Sequence, residues 1–125
     1  SDIMVRGKKI PFVNENIKMI NALKILSKKK LGILIAQNKY KKTTGIITDG
    51  QIRRFNEKQN NINELKVKDL MTSNPISINK NQLAAKALAL MNEKKITSLC
   101  VHGNTKKTNT IGVVHIHDIL QSNIS

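Results

Sequence analysis

Two short stretches combine an apolar run with hydrogen-bonding side chains, and the second reads as a weaker copy of the first. Residues 45–54 have the sequence GIITDGQIRR, and residues 112–121 have the sequence GVVHIHDILQ. In each stretch a glycine and apolar residues precede a polar residue, and a second polar residue follows three positions later. These pairs are Thr48 with Gln51 and His115 with Asp118. The pattern predicts a buried strand that runs directly into the first turn of a helix.

Such a junction suits a particular kind of ligand. A helix N-terminus carries free backbone N–H groups and a partial positive charge. Where a strand ends at a helix N-terminus, an anionic or ribose-bearing ligand can therefore be held. Because the junction occurs twice, the sequence predicts two related sites.

A repeat along the whole chain predicts the elements that position these junctions. The apolar stripe of one predicted helix returns, at a constant offset, in a second predicted helix. The two stripes are Met19, Ala22, Leu23, Leu26 and Ala84, Ala87, Leu88, Met91. Asn14 is predicted to cap the first helix, which runs to about Lys29, and the second is predicted over residues 80–94. Two strands follow each helix, at residues 31–36 and 45–48 and at residues 96–101 and 112–115.

The repeat also predicts the domain organisation. The segment between the two strands, which includes the loop at residues 103–110, is two residues longer in the second copy than its counterpart at residues 37–44. Insertions confined to loops are what a structural duplication leaves behind. A polar segment at residues 59–63 reads as a linker. We therefore predict an α/β (α+β) fold of two β-α-β-β-α lobes related by a pseudo-twofold, with repeats at residues 1–62 and 63–125.

The net charge of the chain suggests a nucleic-acid partner, but the types of residue that it contains argue against one. The net charge is +14, yet among 22 basic residues only Arg6, Arg53 and Arg54 are arginines. Arginine is preferred for base readout and for bidentate phosphate contacts. Aromatic residues, which stack on bases, make up 2% of the chain. We expect the lysines to form a solvated surface and expect no nucleic-acid partner.

Cysteine content and hydropathy predict the compartment. Cys100 stands alone within an apolar run, which excludes a disulfide framework and a cysteine-based zinc site. No apolar run approaches the roughly 18 residues needed to cross a membrane, and no signal peptide is visible. A cytoplasmic protein without a membrane partner is expected. The chain starts at Ser1 without an initiator Met, so we expect a processed or excised piece.

The tandem units resemble a pair of CBS domains, also called a Bateman module. Each unit ends in glycine, two aliphatic residues, a polar residue and a second polar residue three positions on. Four segments narrow the resemblance to the C-terminal region of arabinose-5-phosphate isomerases of the KpsF/GutQ type. These are residues 29–32, 45–54, 94–97 and 115–120. The resemblance covers essentially the whole chain.

The resemblance implies roles for the residues of both junctions. In CBS pairs the Thr or Ser of the motif contacts phosphate, and the Asp three residues later holds ribose hydroxyls. The first site would then use Thr48, with Gln51 in place of the acid, and the second would keep Asp118, with His115 in place of the hydroxyl. The predicted ligand-binding set is Thr48, Asp49, Gln51, Thr97, Ser98, His115, His117 and Asp118.

The resemblance also implies a function. The chain would be a regulatory ligand-sensing and oligomerisation module of a sugar-phosphate isomerase, with no catalysis of its own. Its ligand would be an adenine nucleotide or CMP-Kdo, bound in the cleft between the lobes. Its partners would be an N-terminal SIS catalytic domain, which this sequence lacks, and a second copy that forms a homodimer through the CBS helices. Apolar residues off the core stripes fit that dimer, namely Ile17, Ile20, Ile25 and Leu90.

Several alternatives stay open at the level of sequence. The module is a purely structural dimerisation unit if both sites have degenerated. Thr48, Asp49 and Asp118 also suit plain helix capping, and Arg53 and Arg54 suit an ordinary charged surface. A metal site formed by His102, His115 and His117 is conceivable but has no evident fourth ligand. A nucleophilic role for Cys100 is disfavoured because aliphatic residues surround it.

Overall fold

The computed structural model describes residues 4–58, 61–103 and 106–124, except for the side chains of Ala84 and of residues 122–124. These residues form two four-stranded sheets and divide into two compact units. One unit consists of residues 11–75, and the other joins the N-terminal residues up to Ile10 to the residues from Ile76 onward. The predicted mixed α/β class is confirmed.

The first unit contains one sheet of strand order β2-β3-β4-β5 with its helices. Strands β2 and β3 are parallel, whereas β4 is antiparallel to both β3 and β5. Its elements are β2 (Phe12–Asn14), α1 (Met19–Lys29), β3 (Ile33–Gln37), β4 (Thr43–Thr48), α2 (Asp49–Lys58), α3 (Val67–Leu70) and β5 (Thr72–Ser73).

The second unit has the same plan, with the strand order β1-β8-β7-β6. Strands β6 and β7 are parallel, and β8 is antiparallel to β7 and β1. Its elements are β1 (Val5–Arg6), β6 (Ser77–Asn79), α4 (Leu83–Lys94), β7 (Ser98–His102), β8 (Thr110–His115) and α5 (Ile116–Ile124).

Each sheet takes its edge strand from the other repeat. Strand β1, at the start of the chain, pairs with β8, and β5, which follows the boundary predicted at residue 62, pairs with β4. The predicted division into residues 1–62 and 63–125 describes the repeat in the sequence. The compact units instead divide after Ile10 and after Pro75 because of these exchanged strands.

The apolar stripes of α1 and α4 are buried, as predicted, and each lies in a separate core. Met19, Ala22 and Leu26 are buried in the first unit, and Leu23 packs against the same cluster. Ala87 and Met91 are buried in the second unit, with Leu88 packed against them. The side chain of Ala84 lies outside those described. Each unit therefore has its own hydrophobic core.

The first long helix begins later than predicted, whereas the second helical segment begins at Lys80 as predicted, with a short 3-10 turn. The side chain of Asn14 does not cap α1, because Asn14 ends β2 and its Oδ1 accepts the N–H of Asn16 at 2.8 Å. Asn79 likewise ends β6 and accepts the N–H of Asn81 at 2.9 Å. The Asx turn at Asn14 delays α1 until Met19, whereas Asn79 caps a short 3-10 helix (Lys80–Gln82) that leads directly into α4 at Leu83.

The segment predicted as a linker is partly structural. Gln59 and Asn60 lie outside the described residues, whereas Ile62 is buried in the core of the first unit. The carbonyl of Asn63 accepts the N–H of Ile20 at 3.1 Å. Within the described ranges, no helix has the length and apolar character needed to cross a bilayer.

Candidate functional site

The two strand–helix junctions are built in the same way. In the first unit, β4 ends at Thr48 and α2 begins at Asp49, whose N–H donates to the carbonyl of Gly32 at 3.0 Å. In the second unit, β8 ends at His115, and the N–H of Ile116 donates to the carbonyl of Thr97 at 2.8 Å. Each junction is thus fixed to the residue that precedes the neighbouring strand.

The predicted ligand-binding residues fall into two groups, one in each unit. Thr48, Asp49 and Gln51 lie together at the β4–α2 junction. The remaining five lie at the β8–α5 junction, where Ser98 is the register partner of His115. These five residues are Thr97, Ser98, His115, His117 and Asp118.

Hydrogen bonds between its own side chains close the first junction. The N–H of Thr48 donates to Oε1 of Gln51 at 2.9 Å, and the N–H of Gln51 reaches Oγ1 of Thr48 at 3.3 Å. This reciprocal pair is a capping box at the start of α2. Nε2 of Gln51 also donates to Oγ1 of Thr72, on the edge strand β5, at 2.6 Å. Thr72 was not predicted for this site. The sequence holds one weak signal, because residues 69–71 (DLM), just before Thr72, resemble residues 2–4 (DIM) of the first repeat.

Positive charge surrounds the first turn of α2. A methyl group built at Gly50 would lie 3.3 Å from Nη1 of Arg54 and 4.0 Å from Nη2 of Arg53. Both arginine side chains are exposed. Together with the helix N-terminus, they attract an anion to this junction, whereas the carboxylate of Asp49 on the same turn opposes that attraction.

A histidine ring caps the helix at the second junction. The N–H of His117 donates to Nδ1 of His115 at 3.2 Å, and the two rings stack with their centroids 4.8 Å apart. Burial lowers the pKa of His115, the neighbouring His117 lowers it further, and the carboxylate of Asp118 opposes both effects. The neutral ring of His115 thus takes the place of the Thr48 hydroxyl.

The carboxylate of Asp118 is accessible to a ligand, whereas the side-chain amide of its counterpart Gln51 is already hydrogen-bonded. The side chain of Asp118 is exposed on the first turn of α5. Among the residues that the structure describes, none donates a hydrogen bond to its carboxylate. The second junction therefore presents a free carboxylate beside the exposed side chains of Thr97 and His117.

The structure contradicts the three-histidine metal site. In the antiparallel pair of β7 and β8, His102 lies opposite Thr110, whereas His115 lies opposite Ser98 at the other end. Within the described part of the chain, no cluster of three or more His, Cys, Asp or Glu residues could hold a metal ion. Cys100 is also unsuited to nucleophilic chemistry, because burial raises the pKa of its thiol to about 12.

The apolar surface expected to form a dimer is smaller than the sequence suggests. Ile17 and Ile25 pack against the first core, and Leu90 packs against the second. Ile20 keeps 39% of its surface exposed.

The cap formed by His115 predicts a pH-dependent stability. Because the folded state lowers the pKa of His115, the neutral ring stabilises the fold above the ordinary value of 6.5. This contribution is lost as the pH falls through the lowered value, since protonation removes the acceptor and adds charge at a helix N-terminus. We expect His115→Thr, which restores the hydroxyl of the first junction, to weaken the loss of stability toward about pH 5.

Urea unfolding at about pH 7.5 and about pH 5 measures this effect. His102 also has a lowered pKa, so the variant should keep part of the pH dependence. An equal loss of stability in the variant and the unmodified protein would contradict the role of His115 as a cap.

Comparison with known proteins gives one consistent family. The model of the CBS domain family matches residues 1–58 and residues 67–124. The chain is 36% identical over 124 residues to arabinose 5-phosphate isomerase KdsD of Yersinia pestis, and 32% identical over the same length to KdsD of Escherichia coli K12. The alignments cover 99% of this chain, but it spans only 37% of the length of these curated relatives.

Solved structures share the fold at low sequence identity. CBSX2, a CBS-pair protein of Arabidopsis thaliana, in its complex with AMP has a TM-score of 0.81 and 23% identity, over 98% of this chain and 93% of that chain. The CBS-domain protein ATU1752 of Agrobacterium tumefaciens has a TM-score of 0.82 and 17% identity, over 94% and 85% of the two chains.

Proposed function

Because the chain belongs to the CBS domain family and contains two copies of that domain, we propose that this regulatory module senses a nucleotide or a nucleotide-sugar. The observation that carries the proposal is the free, exposed carboxylate of Asp118 at the second junction. A carboxylate accepts hydrogen bonds from two neighbouring ribose hydroxyls, and such charge-assisted bonds are stronger than neutral ones. The complex of CBSX2 with AMP supports this class of ligand.

The proposal assigns one principal ligand site to each chain. At the second junction, Asp118 holds the ribose, and Thr97 and Ser98 offer hydroxyl groups nearby. At the first junction, Thr48 and Gln51 are already hydrogen-bonded to each other, and Gln51 is also hydrogen-bonded to Thr72. A ligand there would have to break these bonds. Arg53 and Arg54 alone would then bind an anion only weakly, because the carboxylate of Asp49 on the same turn repels it.

The similarity to KdsD supports a parent enzyme for the module. We place the chain in a sugar-phosphate isomerase of the arabinose-5-phosphate isomerase type, in the cytoplasm, joined to an N-terminal SIS domain that performs the catalysis. The ligand would bias the activity of that domain, and CMP-Kdo joins the adenine nucleotides as a candidate. A second copy of the chain would bind through the CBS helices, with Ile20 at the contact.

A thermal-stability panel tests this function. The protein is melted alone and with AMP, ADP, ATP, CMP, CMP-Kdo or arabinose 5-phosphate. A ligand at about 100 times its Kd adds about 2.7 kcal/mol to the free energy of unfolding. We expect one nucleotide or nucleotide-sugar to raise the Tm by several degrees. A flat response to the whole panel would contradict the sensing function for these compounds.

One observation favours a second function, a structural dimerisation module. The closed network of Thr48, Gln51 and Thr72 supports a junction that only caps a helix and fixes an edge strand. Sedimentation of the protein and of Ile20→Lys distinguishes the two functions when combined with the panel. A dimer that Ile20→Lys dissociates, together with a flat ligand response, would favour the structural module.

A further inference from the structure

A cavity of about 580 Å³ lies within the second unit, away from the β8–α5 junction. Its lining comes from β6, from the end of β7 at His102 and from one face of α4. The α4 residues Lys86, Leu90 and Glu93 follow helical spacing, so they share this face. Since Ser98 and His102 are at opposite ends of β7, the cavity and the junction are different places in the fold.

A serine and a histidine form the polar centre of the cavity. Oγ of Ser77 lies 2.7 Å from Nδ1 of His102 and 3.2 Å from the carbonyl oxygen of Cys100. The hydroxyl of Ser77 can donate its single proton to the carbonyl oxygen of Cys100, while Nδ1–H of His102 donates to Oγ of Ser77. This arrangement leaves Nε2 of His102 for a ligand.

The charged side chains of the cavity have an excess of positive charge. Lys86 and Lys107 face one acid, Glu93. Among the described residues, neither lysine forms an ion pair with a carboxylate. Burial lowers the pKa of His102 and the charge of Lys107 lowers it further, so its ring is neutral near pH 7 but can gain a proton beside an anion.

The remaining lining favours a ligand with hydroxyl groups and an apolar face. Asn79 and Gln82 contribute side-chain amides, which both donate and accept hydrogen bonds. The carboxylate of Glu93 accepts from hydroxyls but repels a bare anion. Ile78 and Leu90 supply aliphatic surface, and the volume lies in the range of small-molecule sites.

We propose that this cavity is a separate binding site for a small phosphorylated sugar or polyol. Lys86, Lys107 and His102 contact the phosphate, and Glu93 with the amides of Asn79 and Gln82 contacts the hydroxyls. The site is independent of the nucleotide site at Asp118 and does not require it.

Calorimetric titrations with ribose 5-phosphate, inorganic phosphate and ribose test this site. We expect ribose 5-phosphate to bind more tightly than either fragment. Lys86→Gln and Lys107→Gln should each weaken it about 3- to 10-fold, whereas Lys94→Gln, on the same helix but outside the lining, should not. Glu93→Gln should weaken ribose 5-phosphate and strengthen inorganic phosphate. Equal Tm values for these exposed variants would show that the fold is kept.

A histidine titration by NMR gives a second readout. Ser77 is hydrogen-bonded to His102, the charge of Lys107 acts on its ring, and Lys86 and Glu93 line the same cavity. A bound phosphate adds an opposing negative charge. We expect ribose 5-phosphate to raise the pKa of His102 by about one unit.

Three results would overturn the proposal. The first is an unchanged His102 titration, and the second is binding that Lys86→Gln and Lys107→Gln leave intact. The third is loss of ribose 5-phosphate binding in Asp118→Asn, which would place this ligand at the junction. Nucleotide binding is measured separately in the same variants, so failure of one site does not imply failure of the other.

Discussion

Replacing Gly45 or Gly112 by alanine is expected to lower the free energy of unfolding by about 1–3 kcal/mol. A methyl group at Gly45 would lie 2.6 Å from Sδ of Met71 and 2.8 Å from the carbonyl oxygen of Thr72. At Gly112 it would lie 2.5 Å from Sδ of Met4 and 3.0 Å from the carbonyl oxygen of Val5. A methionine side chain can move aside, but the carbonyl oxygen belongs to the edge strand. The substitution therefore separates β5 from β4, or β1 from β8.

Thermal and urea unfolding measure this effect, with a Tm decrease of about 4 °C for each kcal/mol. Gly103→Ala is the matched control, because nothing lies within 4 Å of a methyl group there. If Gly45→Ala and Gly112→Ala were as stable as Gly103→Ala, the close contact of each glycine with an exchanged edge strand would be refuted.

The largest losses of stability are expected from Leu34→Ala and Leu99→Ala, at about 2–5 kcal/mol each. The two leucines occupy equivalent places in β3 and β7, and their exposed fractions are 0% and 1%. Truncating either one removes buried apolar surface and leaves a cavity in the core of its unit. The two substitutions should lower the free energy of unfolding by similar amounts, because the two cores have the same construction.

Leu120→Ala provides the comparison, since Leu120 on α5 is 42% exposed. Its effect should stay within about 0.5 kcal/mol. A small effect of Leu99→Ala beside a large effect of Leu34→Ala would contradict two equivalent cores.

The sequence predicted those parts of the fold that have a periodic signal. The apolar stripes of α1 and α4 recur at a fixed offset, and each is followed by two apolar strands. This pattern was sufficient for the fold class, the duplication and the position of both junctions. The resemblance to CBS pairs rested on the same residues, and the family match confirms it.

The edge strands could not be predicted in the same way. Strands β1 and β5 are only two residues long, so they carry no alternation of apolar and polar residues. Their pairing depends on partners far away in the sequence. The hydrogen bond from Gln51 to Thr72 depends on that pairing, and Thr72 was therefore missed.

Side-chain roles at the junctions also required the structure. The sequence left open whether Thr48 binds a ligand or caps α2. The bonds between Thr48 and Gln51 form a helix cap, and ligand binding by Thr48 stays a prediction. That a ring nitrogen of His115 accepts the N–H of His117 depends on the local backbone. The cavity beside His102 arises from three elements that are separate in sequence, and no motif marks it.

Isothermal titration calorimetry with AMP and with CMP-Kdo measures whether a nucleotide binds at Asp118. We expect at least one of them to bind with one ligand per chain. Asp118→Asn should weaken this binding by at least about 10-fold, because it removes a charged acceptor. Asp49→Asn, the matched change on the first turn of α2, should leave it unchanged. Binding that survives Asp118→Asn at full strength, or no binding of either ligand, would contradict the account.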